Sequence, residues 1–514
     1  MRQPNIVVLM ADQLAPHFVG AYGHPLVKTP HIDALAARGM RFDAAYCNSP
    51  LCAPSRFAFM SGQLISRIAA YDNASEFPAS VPTFAHYLKS LGYRTCLSGK
   101  MHFVGPDQKH GFEDRITTDI YPSDFAWTPD WEAPDERIDK WYHNMETVKE
   151  SGVAVATFQT DYDDEVAFAA RRWLIDQGRG RAAGDPAPFC LVASFIHPHD
   201  PYVAKPEFWD LYEDVEIDMP AHVLAPEEQD PFARRVMDGI EASTVPLSED
   251  DIRRARRAYL ANVSYFDSKV GEVVRTIDEI GETENTIIII TADHGDMLGE
   301  RGLWYKMNFF EHSARIPMIF AGPGVANGEA SNACSLIDLL PTFLDFAGGG
   351  PDMLGEAVDG RSLMPLARGE RDETDEAIGE YCAEMTPDPV FMIRLGALKY
   401  IHCDRDPPQL YDLSLDPAEL VNRATDPDYA DAAERFAKEV GQRWNSARLR
   451  ADVVRTQKSR RALHAAMEAG ASEPWDYNPP RDATQEYVRN HMDWTVAAAR
   501  YRYPPLKDEG DGTA

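Results

Sequence analysis

Residues 285–294 read NTIIIITADH. Four consecutive isoleucines between threonines make an apolar, β-branched run of strand length, bounded by polar residues. A strand apolar on both faces is buried on both faces, as inside a parallel sheet. The run then stops at Asp293 and His294. Four other stretches share its character: NIVVLM (5–10), YRTCLSG (93–99), FCLVASFI (189–196) and IPMIFAG (316–322). Amphipathic segments separate them, among them HIDALAARG (31–39), TFAHYLKSLG (83–92) and the long stretch 253–281. This alternation predicts an α/β fold, with a large, mainly parallel sheet sandwiched by helices.

The residues immediately after each strand carry the chemistry. In an open α/β sheet, ligands bind beyond the carboxyl ends of the strands. Ala11-Asp12-Gln13 ends the first run, Lys100-Met101-His102 the second, His197-Pro198-His199-Asp200 the third, and Asp293-His294 the fourth. A single strand-end Asp is often no more than a helix cap; four such ends point to one rim. Asp12, Gln13 and Asp293 are hard oxygen donors that suit Ca²⁺, Mg²⁺ or Mn²⁺, with His294 joining or flanking them. Lys100, His102, His199 and Lys306 (in GLWYKMNFFEH, 302–312) suit a tetrahedral oxyanion. A metal beside clustered cationic groups is equipment for phosphoryl or sulfuryl transfer.

The bulk numbers narrow the class. The chain has 514 residues, with 82 acidic against 51 basic ones and a net charge of −31. Such a surface disfavours nucleic acid and favours a small cationic substrate. There is no apolar run of 18 residues, so no membrane span is expected. The N-terminal MRQPNIVVLMADQ has neither a basic leader nor a long apolar core, which predicts a cytoplasmic protein. Seven scattered cysteines without a CxxC pair indicate neither a disulfide framework nor a zinc cluster. No G-x-G-x-x-G comes after the first strand, which excludes a nicotinamide-binding fold. The organisation expected is a catalytic domain over 1–380 and a small α+β subdomain over 381–450 containing the hairpin FMIRLGALKYIHC (391–403). A helix is expected around 430–470, and the C-terminal helix with a proline- and aromatic-rich arm would occupy 451–514. Aromatics in such an arm predict that it packs at a subunit interface of a dimer or tetramer.

Residues 52–62, CAPSRFAFMSG, resemble the C-x-P-S-R signature of the type I sulfatases of the alkaline phosphatase superfamily. TADHGDMLGERGLWYKMNFFEH (291–312) and YDLSLDPAELVN (411–422) resemble further elements of that family. The resemblance implies that enzymatic machinery oxidises Cys52 to formylglycine, whose hydrate attacks sulfur and forms a covalent sulfo-enzyme. It implies Asp12, Gln13, Asp293, His294 and one formylglycine oxygen as ligands of a divalent metal, Ca²⁺ first and Mn²⁺ or Mg²⁺ next. Arg56 would hold the nucleophile's oxygen, and Lys100 and Lys306 the sulfate. His102 would be the base that releases sulfate, and His199, aided by Lys306, the acid for the leaving group.

Gln13 and His294 resemble the choline sulfatase branch and the related phosphonate monoester hydrolases, and SGKMHFVGPDQKHGFEDR and YVRNHMDW resemble the former. Choline-O-sulfate hydrolysis is the implied activity, with a phosphonate or phosphodiester hydrolase, an aryl sulfatase, or a silent homologue with unconverted Cys52 as alternatives. A trimethylammonium group is recognised by aromatic faces and carboxylates. Candidates are Asn73, Trp127, Trp131, Trp141, Tyr142 and His143, with Asp493 and Trp494 from the arm of the same or a neighbouring subunit.

Overall fold

The computed structural model describes residues 2–134, 138, 143–471 and 475–505. Its centre is an eight-stranded sheet built from β1 (Asn5–Asp12), β2 (Met40–Tyr46), β3 (Arg94–Gly99), β4 (Asp114–Arg115), β5 (Phe189–Pro198), β6 (Thr286–Ala292), β7 (Met318–Ala321) and β8 (Gly328–Ser335). The strand order is β8-β2-β7-β6-β1-β5-β3-β4. All pairings are parallel except those of β7, which runs antiparallel to both β2 and β6. Apolar runs alone do not reveal β2 and β8. The first alternates polar with apolar residues (MRFDAAY), and the second has no large apolar side chain (GEASNACS).

Register explains why the functional residues converge. Leu9 pairs with both Ile290 and Ala193, Ala11 with Ala292, and Gly99 with Ser194. Asp12, Lys100, His199 and Asp293 therefore leave the sheet at the same edge. Gly99 makes this possible on β3: with φ 104°, any Cβ would lie 1.9 Å from the Ser194 carbonyl oxygen, to which Lys100 N donates.

The helix Cys52–Ser61 crosses beneath that edge with all ten residues buried. Such a helix is held by core packing on every side rather than by an amphipathic face. Pro54 sits in its first turn, where proline is tolerated, and Gly62 ends it in the left-handed conformation (φ 66°). Two long helices, Phe158–Ala182 and Glu249–Glu279, cover the sheet.

Next along the chain comes a four-stranded antiparallel meander, Glu376–Tyr381, Val390–Leu395, Leu398–Cys403 and Asp406–Asp412. It is pinned to the catalytic loops by buried Lys399, which donates to Glu311 Oε1 (2.9 Å), the Phe309 carbonyl (2.8 Å) and Glu419. The helix expected near 430–470 is two helices, Ala430–Arg443 and Ser446–Glu468, broken at Trp444-Asn445. From the second, Arg460 forks onto Asp72 (2.5 and 2.7 Å). The arm then runs back over the catalytic domain: Tyr477 stacks on Arg115, and Tyr503 OH donates to Ile280 O (3.0 Å). Among the described residues no helix is long and apolar enough to cross a membrane.

Candidate functional site

Cys52 is the first residue of its helix and is 1% exposed. The next amide, Ala53 N, donates to Asn73 Oδ1 at 2.9 Å, so Asn73 satisfies one of the unpaired donors at the helix start. The Cys52 sulfur lies 3.3 Å from His294 Nε2 and 3.9 Å from Asp12 Oδ1. Burial opposes ionisation of the thiol, but Lys100, Lys306 and His294 outweigh it and hold its pKa well below the ordinary value. The position is built to carry negative charge.

Asp12, Cys52, Asp293 and His294 are all buried, with one ligand atom of each within 4.8 Å of every other. Two carboxylates, one imidazole and the position-52 donor fit a hard or borderline divalent ion. Arg56 packs between the two carboxylates, donating to Asp293 Oδ2 (2.8 Å) and Asp12 Oδ2 (2.9 Å), with Nη1 on Ser194 Oγ and the Lys100 carbonyl (2.7 Å each). These hydrogen bonds make it a clamp on the carboxylates; none of them goes to Cys52. Burial raises the Asp12 pKa, yet Lys100, His199 and Arg56 bring it well below the usual range. Asp293 is pushed up by burial and by Asp12.

The Gln13 amide turns to the oxyanion side. Its Oε1 accepts from Lys306 Nζ (2.5 Å), and its Nε2 donates to Asp296 Oδ2 (2.7 Å) and Asp200 Oδ1 (3.3 Å). Lys306 Nζ is also 2.8 Å from His199 Nε2. His199 Nδ1 meets the Asp200 carbonyl (2.7 Å), and Asp200 Oδ2 bonds His143 Nδ1 (3.0 Å). Burial and Lys306 depress His199, but Asp200 and Asp12 raise its pKa above the ordinary imidazole value. Burial takes His143 down to about 4, leaving it neutral. Lys100 pairs with Asp12 and lies 4.3 Å from the Tyr121 ring centroid. His102 is buried with neither ring nitrogen hydrogen-bonded, and burial lowers its pKa. Its backbone amide is held by Asp119 (2.9 Å). His197 is tied to Asp163 (2.7 Å), a support for its strand end.

Gln13 (φ 64°), His102 (59°), Tyr305 (65°) and Met307 (73°) all occupy the left-handed region. Each costs about 1–3 kcal/mol and persists because the surrounding core over-determines it. The strained positions flank Asp12, Lys100 and Lys306.

A cavity of about 220 Å³ opens above Cys52, walled by Asn73, Tyr121, Trp127, His143, His199 and Lys306. Trp127 meets His102 and Tyr121 edge-on, at 5.9 and 5.3 Å. Other aromatic candidates lie elsewhere or out of view: Trp131 is core, its Nε1 on the Ala383 carbonyl (2.7 Å), and Trp141 and Tyr142 lie outside the described residues. Asp493 and Trp494 are not in this cavity within one chain. Asp493 caps the helix Trp494–Tyr501 by accepting from Val496 N (3.0 Å), and Trp494 is exposed on the outer face of Phe158–Ala182. Sequence reasoning gives no role to Tyr121 and Asp200, which line the cavity, or to Glu384, which lies outside its wall but feels the charges of Lys306 and Cys52. Tyr121 and Asp200 lie just beyond strand ends, where such residues are to be sought. Glu384 gives no sequence signal: it is buried, with Oε1 unpartnered, and burial lifts its pKa to about 8.

Comparison with known proteins agrees with this geometry. The Sulfatase family model matches residues 4–349, the model described as choline sulfatase enzyme C terminal matches 451–503, and that of the N-sulphoglucosamine sulphohydrolase C-terminal region matches 299–445. The choline-sulfatase of Rhizobium meliloti is 46% identical over 507 residues, covering 98% of this chain and 99% of its own. A multifunctional alkaline phosphatase superfamily protein of Trinickia caryophylli is 27% identical, covering 86% and 95%. The phosphonate monoester hydrolase of Agrobacterium radiobacter shares the fold at a TM-score of 0.69, with 23% identity over 88% of this chain and 96% of its own. A buried metal-binding cluster, a thiol whose surroundings favour negative charge and these matches converge: the chain belongs to the sulfatase family and is a sulfuric ester hydrolase.

Proposed function

We propose that the protein hydrolyses choline-O-sulfate to choline and sulfate. The observation that carries this is the small cavity over Cys52, which joins a tetrahedral-anion site to an aromatic wall of Tyr121 and Trp127. At about 220 Å³ it accommodates a small ester. The whole-length similarity to a choline-sulfatase supports the same reading. Trp127 and Tyr121 offer cation–π faces, each worth about 0.5–2 kcal/mol. Glu384, buried outside the cavity wall and lifted by burial to about 8, is the carboxylate assigned here to balance the quaternary ammonium.

Cys52, once oxidised to formylglycine and hydrated, supplies the hydroxyl that displaces the ester oxygen at sulfur and a second hydroxyl whose deprotonation regenerates the aldehyde. A divalent ion held by Asp12, Asp293, His294 and residue 52, with Gln13 alongside, supplies positive charge there; Ca²⁺ is favoured, with Mn²⁺ and Mg²⁺ next. Lys100 and Lys306 bind the non-bridging sulfate oxygens. Arg56 fixes Asp12 and Asp293 in place and favours the ionised form of each. His199, whose pKa Asp200 and Asp12 raise, gives its Nε2 proton to the departing choline oxygen, with Lys306 2.8 Å from the same nitrogen. His102, neutral and unpartnered, accepts the proton of the second hydroxyl. The exposed apolar face of Phe168, Trp494 and Val496 supports self-association through the arm.

The test is sulfate release from choline-O-sulfate by protein whose Cys52 conversion is established by peptide mass. Turnover of phenyl phosphonate with none of choline-O-sulfate would assign the chain to the phosphonate hydrolases instead.

A further inference from the structure

We propose that Asp296 orients the Gln13 amide, so that oxygen rather than nitrogen faces Lys306 and is the atom on offer to an ion at the neighbouring cluster. The inference deepens the metal-centre reading and rests on Gln13 serving that centre.

Asp296 is fully buried. Its Oδ1 accepts from the backbone amides of Leu298 (2.8 Å) and Tyr305 (3.0 Å). Its Oδ2 accepts from Gln13 Nε2 (2.7 Å) and Tyr202 OH (2.8 Å). These four donors use the acceptor capacity of a carboxylate, which has nothing to donate. The group that Gln13 turns toward it must therefore be N–H. Asp200 Oδ1, 3.3 Å from the same nitrogen, is a second acceptor. With the nitrogen fixed on this side, Oε1 faces the opposite way and meets Lys306 Nζ at 2.5 Å. The two orientations of an amide are nearly isosteric, so shape alone does not choose between them. The choice matters because cations bind the amide oxygen and not its nitrogen. The backbone cooperates: Gln13 sits at φ 64°, and its N–H is tied to Asp293 Oδ1 (3.1 Å), which fixes where its side chain starts. The same Asp296 carboxylate holds the amide of Tyr305, next to Lys306, so one buried charge fixes both the Gln13 amide and the loop that carries Lys306.

Asp296→Asn is the direct test. Two backbone amides and a tyrosine hydroxyl still demand acceptors, so the new side chain keeps its oxygen for Oδ1's partners and presents its NH₂ to Gln13. The Gln13 amide then reverses. Mn²⁺ titrated into metal-stripped protein, with free ion read by electron paramagnetic resonance, is expected to bind about 10- to 100-fold more weakly. The double variant Gln13→Glu/Asp296→Asn has the same net charge as the natural protein. The carboxylate it introduces at position 13 has oxygen at both ends, accepts from the new NH₂ and still offers oxygen to the ion. Its Mn²⁺ affinity is expected to exceed that of Asp296→Asn by tenfold or more, a recovery that a merely structural Asp296 would not give. If Asp296→Asn does not fold, Gln13→Glu alone, with two carboxylates face to face, should bind Mn²⁺ more weakly than the double variant. Wild-type affinity in Asp296→Asn, no recovery in the double variant, or equal binding by Gln13→Glu and the double variant would overturn the proposal. So would Gln13→Ala binding Mn²⁺ as tightly as wild type, which removes Gln13 from the metal; sulfate release from choline-O-sulfate reports on the substrate reading separately.

Discussion

Replacing His199 by Ala should separate two substrates that differ only in leaving group. Choline leaves as a basic alkoxide and needs a proton as the S–O bond breaks, whereas nitrophenolate leaves unaided. A positioned general acid contributes about 10²–10⁴-fold. Lys306 survives the substitution, and its Nζ lies 2.8 Å from the vacated Nε2 position with a second anchor on Gln13. That residual donor places the expected loss toward the lower end, about 10²–10³ in kcat/KM for choline-O-sulfate, or ~3–4 kcal/mol of barrier. For nitrophenyl sulfate the loss should stay below about tenfold. The ratio of the two losses cancels any general damage to the site, such as the unpairing of Asp200. The pH profile gives an independent reading. Asp200 and Asp12 raise the His199 pKa against burial, so the acid form is present below that raised value and lost above it. Wild-type turnover of choline-O-sulfate should fall as pH rises through it, and the variant should lack that limb. Equal losses on the two esters, at equal Cys52 conversion and metal content, would show that His199 binds sulfate without donating a proton.

Three other outcomes are expected. Lys399→Met strands Glu311 and Glu419 in the interior and should cost about 3–5 kcal/mol of stability by denaturant titration. Burial raises the Glu311 pKa, but Lys399, Arg315 and Arg394 outweigh it and hold it below the ordinary 4.5. That stabilisation is present above the unfolded value and lost as pH falls through the folded one, so wild type and variant should converge in acid. Glu384→Gln should raise the KM for choline-O-sulfate on the order of tenfold, with little change for nitrophenyl sulfate; equal changes would place Glu384 outside cation recognition. Ending the chain after Ala471 should abolish self-association in sedimentation and raise the KM for choline-O-sulfate; an unchanged KM would exclude Asp493 of any subunit from substrate binding.

The strands that carry the chemistry were legible because they are the most buried. Four isoleucines, or NIVVLM, announce a strand, and the first polar residue after each announces the rim. β2 and β8 were not, because near the sheet edge they need no continuous apolarity. Individual ligands were legible, but their orientation was not. Gln13 stands beside Asp12 in the sequence, whereas the direction of its amide depends on Asp296, a residue of the loop after β6 that the parallel pairing of β1 and β6 brings alongside. Asp493 has a second role that the sequence also offered. A carboxylate directly before a helical run caps that helix, and the pattern Asp-Trp-Thr-Val was there to be read. Glu384 became visible only when the chain closed around it, since a lone Glu in YCAEM is unremarkable until it is buried without a partner.

The burial of Cys52 sets an order of events in biogenesis. Its side chain is 1% exposed at the start of a helix with no solvent-facing side, beneath a cavity of about 220 Å³. A second protein reaching Cys52 in the folded chain would have to unwind a helix whose ten residues are all buried. On the formylglycine reading proposed above, conversion of residue 52 would have to happen while the segment is still an open chain, and the native fold would then seal the result. A molecule that folds before it is oxidised is committed to remaining a thiol, so the active fraction of a preparation is decided by a race during synthesis.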